Sequence, residues 1–160
     1  MADFNQAIPK LLMKEGGDKY TNIYGDAGGE TKYGITKRSY PHLDIKNITE
    51  DQAKEIYKRD YWNRICGDRI EVQTVSESIF EAAVNMGVKT ASKMVQLAIG
   101  ADPDGIIGDK TIAKLNNTDA ATFKALFTLA TIARYAHICN TDRTQSKFLL
   151  GWINRVLGGA

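Results

Sequence analysis

Apolar residues recur at steps of three and four along most of the chain, which predicts a largely helical protein. In the first such stretch Phe4, Ile8, Leu11 and Leu12 share one face. Asp3 is placed to cap it, Pro9 to kink its early turns, and Gly16-Gly17 to end it. The pattern Thr49-Glu50-Asp51-Gln52 is a capping box, so a second helix is expected from there to about Trp62, with Ala53, Ile56 and Tyr57 inward. Further helices are expected at 71–87, 89–99, 109–116, 118–139 and 144–157, with a tight turn at Pro103 and Gly105.

One stretch of any length breaks this rhythm. Residues 15–36 are rich in Gly, Asp and Thr, and Tyr20, Ile23, Tyr24 and Tyr33 stand at spacings that suit short strands or a hairpin. The expected architecture is therefore mainly α with a small β-hairpin in an N-terminal lobe. The two lobes, about 1–70 and 71–160, are expected to share one core, as 160 residues suffice to build one without metal or disulfide.

Composition removes several function classes. The net charge is +2, and only residues 131–160 lean basic, so the stripe that marks nucleic-acid binders is missing. Cys66 and Cys139 lie far apart, in no metal-binding spacing, and are expected as reduced, buried hydrophobes. Asp102, Asp104 and Asp109 lack the closing glutamate of a calcium loop and read as a turn. His42 and His137 share no motif and fit a surface loop and a helix face. The start of the chain carries no secretory signal pattern, so a cytoplasmic product is expected.

Chemistry concentrates in the non-helical stretch. Glu15 stands where the first helix ends at a Gly-Gly pair, and Asp26 and Thr31 follow in the hairpin that must fold back past that end. A carboxylic acid, a carboxylate and a hydroxyl thus have a route to one small volume, the set that glycoside cleavage requires. Glu15, against Tyr20, Tyr33 and the apolar helix end, is expected to be partly desolvated and protonated. Asp26, among loop amides, is expected to stay ionised. Residue by residue, each of these is equally an ordinary helix end or turn.

The ensemble carries more than its members. Glu15-Gly16-Gly17, followed by Tyr24-x-Asp26-x-Gly28-Gly29-x-Thr31-x-Tyr33-Gly34-Ile35-Thr36, closely resembles the signature of glycoside hydrolase family 108, lysozyme-like muramidases common in phages and prophages. Asp60-Tyr61-Trp62 is similar to the family's early Y-W element, and the run from Phe80 to Gly87 to its F-D-x-A-V-N-x-G helix. Residues 96–108 resemble its peptidoglycan-binding part, and Gly151-Trp152-x-x-Arg155 its closing helix. Glu81 stands where the family usually has Asp, and Asp109 where a proline is usual.

The resemblance implies a lysozyme-like peptidoglycan hydrolase that cleaves between N-acetylmuramic acid and N-acetylglucosamine and needs no cofactor or metal. By likeness to these enzymes and to the related phage lysozymes of family 24, Glu15 is the general acid, Asp26 the electrostatic or base partner, and Thr31 the holder of the attacking water. Glu30 and Tyr33 are alternatives for those supporting roles. Gly29, Glu30, Tyr33, Tyr61 and Asn85 are candidate substrate contacts. Tyr61 either stacks on a sugar face or closes the core, whereas Trp62 is expected in the core. Asn85 is either a buried, hydrogen-bonded core amide or a ligand for an N-acetyl group.

The implied partner is the peptidoglycan glycan strand, met by a monomer. The implied role is that of a phage endolysin, held in the host cytoplasm and acting in the periplasm or wall. The basic, apolar C-terminal stretch is either the packed face of a terminal helix or a weak outer-membrane contact. A non-catalytic wall-binding or secretion-assisting factor and a lytic transglycosylase are the competing functions.

Overall fold

A computed structural model describes residues 1–22 and 29–158. Ile23, Tyr24, Asp26 and Gly28, all named above, lie outside that range. Among the described residues the regular elements are helices apart from one two-stranded antiparallel sheet. Helix α1 spans Phe4–Lys14, with the Asp3 carboxylate accepting from the Asn5 amide. It runs through Pro9 without a break. The carbonyl that Pro9 leaves without a partner belongs to Asn5, which is exposed and open to water.

Strands β1 (Thr31–Lys32) and β2 (Ile35–Thr36) pair with Lys32 opposite Ile35, so the turn contains only Tyr33 and Gly34. Both turn residues have positive φ, 53° and 75°, the left-handed pair that matches the twist of a two-residue hairpin. Thr21 bridges to Thr31 on the other side of β1.

Helix α2 (Glu50–Tyr57) begins at the expected capping box. It does not continue as an α-helix to Trp62: the backbone widens into a π turn over Lys58–Trp62, then tightens over Asn63–Ile65 and ends at Cys66 with φ 53°. The wider turn follows from packing. It lets Tyr57 and Trp62 both face inward, where their rings meet Phe80 at centroid distances of 6.3 and 5.3 Å. Phe4 closes this aromatic cluster against Trp62 and Phe80. Burying rings of this size contributes roughly 1.5–3 kcal/mol each, enough to decide the local backbone.

Helix α3 (Gln73–Met86) is the hub, packing on α1, the π turn, α4 (Val88–Ala98) and α6 (Ala120–Thr141). Between α4 and α5 (Asp109–Asn116) the chain turns around the buried Gln96 amide. Its Nε2 donates to the Asp104 carboxylate at 2.7 Å and to the Ile106 carbonyl at 3.0 Å, and its Oε1 accepts from the Gly105 amide. Asp104 is thus a turn brace.

The expected helix over 144–157 divides into a tight helical segment, Arg143–Phe148, and α7, Leu149–Val156. Trp152 of α7 packs on Tyr135 of α6 at 5.1 Å, while Phe148 and Leu150 are exposed. Cys139 is buried and Cys66 half-buried, its Sγ 3.2 Å from the Ile107 carbonyl. His42 and His137 are exposed. Among the described residues no helix is long and apolar enough to cross a membrane.

Candidate active site

Glu15 is the residue immediately after α1. Its amide still bonds the Leu11 carbonyl, while Gly16 and Gly17 (φ 88° and 59°) turn the chain away. The glycines let the backbone reverse at once, which leaves the Glu15 side chain standing at the helix end. The Gly17 carbonyl then accepts from the Tyr33 amide at 3.0 Å, which draws the hairpin turn onto that same end.

The hairpin turn presses on the acid. A Cβ added at Gly34 would sit 2.9 Å from Glu15 Cβ, 3.1 Å from its Oε2 and 2.5 Å from Tyr57 Oη. Glycine is therefore required at position 34 twice over, by its φ and by the neighbours. Tyr57 fastens the arrangement, its hydroxyl donating to the Tyr33 carbonyl at 2.9 Å.

These contacts leave Glu15 half-buried. Burial raises its carboxyl above the ordinary carboxylate range; the Arg155 guanidinium pulls the other way, and the Glu81 carboxylate adds to the rise. Burial is the largest of these, so the protonated form is favoured beyond that of a surface glutamate. Burial, followed by the Glu15 charge, also pushes the Tyr57 phenol well above its usual range, which keeps it a donor. Burial likewise raises Tyr61, whose ring lies 5.7 Å from Tyr57 and packs against the core.

The other sequence candidates fall into groups. Asp26 lies outside the described residues. Thr31 is half-buried, its backbone paired with Thr21 and its hydroxyl donating to the Gly29 carbonyl at 3.3 Å. Among the described residues nothing donates to that hydroxyl oxygen, which can accept from water or substrate. Glu30 accepts from the Tyr20 hydroxyl at 2.8 Å. Tyr20 is therefore engaged with Glu30, while the Gly34 turn and Tyr57 stand beside Glu15. Among the described residues no hydrogen bond joins Glu15 to Glu30 or Thr31.

Asn85 is not the buried core amide that one reading of its stripe expected. The α3 register turns it outward, and its Oδ1 accepts from Arg155 Nη1 at 2.8 Å. Trp62 is fully buried, its indole donating to Asp68.

Of four further residues at the site, three escape a local reading of the sequence. Gly34 was readable, since Tyr-Gly between two short strands is a hairpin loop. Tyr57 looked like one more inward residue of a helix. Glu81 and Arg155 reach Glu15 from elements 66 and 140 residues away, and nothing local announces that.

Comparisons with known proteins fit this geometry. The family described as glycosyl hydrolase 108 matches residues 8–87, and a family described as "Predicted Peptidoglycan domain" matches residues 90–157. Among solved structures, SagA of Brucella abortus is 31% identical, with a TM-score of 0.78 over 96% of this chain and 88% of that one. No curated protein matches.

Proposed function

Because the chain belongs to the glycosyl hydrolase 108 family, and so is a glycoside hydrolase acting on peptidoglycan, we propose that it is a muramidase whose general acid is Glu15. The bond cut is the β-1,4 linkage between N-acetylmuramic acid and N-acetylglucosamine. The observation that carries this reading is the half-buried Glu15 carboxyl, held at the end of α1 by the Gly34 turn with its pKa raised by burial.

Glycosidic oxygen is a poor leaving group until it is protonated. A carboxyl whose pKa is raised by burial keeps its proton more readily and supplies it as the bond to the anomeric carbon lengthens. Thr31 supports the reading as the holder of the attacking water, because its hydroxyl proton is committed to Gly29 and its oxygen can accept from that water. Asp26 is assigned the role of stabilising the developing positive charge. Tyr33 and Tyr61, on the two elements flanking Glu15, are assigned to the sugar, and Asn85 to an N-acetyl group beside Arg155.

Digestion of purified sacculi followed by mass spectrometry tests the reaction. Products ending in reducing muramic acid are expected. Anhydromuramic ends would make the enzyme a transglycosylase, and reducing glucosamine ends would move the cut to the other linkage. The muramidases it resembles are common in phages, and we assign this protein the role of an endolysin that waits in the host cytoplasm. Lysis of expressing cells only after the inner membrane is permeabilised is the expected result.

A further inference from the structure

A cleft of about 530 Å³ opens between α3 and the α6–α7 pair. Lys14, Glu81 and Arg155 line it, so it begins at the residue next to the acid and contains the two charges that act on the Glu15 carboxyl. Its lining combines apolar groups, Ala82, Met86 and Val156, with charged ones. The charges are unevenly used. Glu77 and Glu81 are paired with Lys10 and Lys14 at 2.7 Å each. Among the described residues Lys124 and Arg155 have no carboxylate partner, and Arg155 donates only to the neutral Asn85. Among the described residues the cleft therefore holds two cations, Lys124 and Arg155, outside any ion pair.

We propose that this cleft receives the peptide stem of peptidoglycan, the short acidic peptide attached to the lactyl group of muramic acid. The inference rests on the muramidase reading: a muramic acid held at Glu15 must send its stem over the neighbouring surface, and the cleft lining starts at the adjacent Lys14. Stems combine small methyl side chains with free carboxylates, matching the apolar lining and the two cations. A second length of glycan fits less well. Sugars are neutral apart from the stem, and their faces need exposed rings, whereas the two aromatic residues here, Phe127 and Tyr135, are buried at 7% and 8% exposure.

The test is Lys124→Glu, a charge reversal at an exposed position of α6 outside the buried core. kcat/KM is measured on stem-bearing glycan strands and on strands stripped of stems by an amidase. The variant is expected to lose roughly tenfold more on the stem-bearing substrate, the scale of replacing one attraction by a repulsion. That gap should narrow as salt is raised. Lys124→Ala should show a smaller gap of the same sign. In parallel, a muramyl tripeptide titrated into the Glu15→Gln protein should bind, and bind more weakly when Lys124→Glu is added. Equal losses on both substrates, or no loss, overturn the stem site while leaving the muramidase reading intact. A wild-type protein that cleaves neither substrate overturns that reading and this inference with it.

Discussion

Gly34 stands against Glu15 so closely that a single added carbon would lie 2.9 Å from the acid's Cβ. The Glu15 carboxyl is thus positioned by the backbone of a hairpin turn, and the Tyr57 hydroxyl fastens that turn. Acid, turn and tyrosine form one mechanical unit, so a change in any of them should be felt at the others.

Gly34→Ala should therefore damage both stability and activity. An alanine in the left-handed region beside Tyr57 and Glu15 costs roughly 2 to 4 kcal/mol, from backbone strain and overpacking together. Thermal unfolding checks the first effect. Sacculus hydrolysis, measured at a temperature where the variant stays folded, should show that activity falls further than the folded fraction.

Tyr57→Phe removes one donor and almost no volume. The Tyr33 carbonyl loses its bond at a half-buried site, and a cost of about 1 kcal/mol is expected from denaturant unfolding. Because the turn beside Glu15 loosens, kcat should drop by more than KM changes.

The acid's environment fixes a pH dependence. Its folded-state pKa lies above the ordinary value of 4.5, so the stability this carboxyl contributes is full below 4.5 and is lost as pH rises through the folded value. Glu15→Gln carries no such ionisation. The variant should melt higher than wild type at neutral pH, and the gap should close as pH falls below 4.5, which calorimetry at several pH values can follow.

Arg155 opposes that rise by favouring the ionised carboxyl. Arg155→Gln should move the alkaline limb of kcat to higher pH, because the acid then keeps its proton longer. A profile whose alkaline limb stays put, or moves toward acid, would remove Arg155 from the account.

Much of this was legible in the sequence because it is local. Asp3, the box at Thr49 and Gln52, and the stop at Gly16-Gly17 are decided by hydrogen bonds and φ preferences within a few residues. Glu15 at the end of α1 followed from them. The π turn was not legible, since it arises from fitting Tyr57 and Trp62 against Phe80, a contact between separate elements. The outward turn of Asn85 and the arrival of Arg155 beside the acid depend in the same way on how α7 packs. The stripe of Phe148, Trp152 and Arg155 carried no sign of that destination.

Whether the Glu15 proton drives bond cleavage is read from the turbidity loss of purified sacculi with Glu15→Gln beside wild type. The substitution preserves shape and removes only the proton that is transferred. A fall of roughly 10²- to 10⁴-fold, the usual contribution of a general acid, is the predicted result. Activity within a few-fold of wild type, from a protein with the same fold, would contradict it.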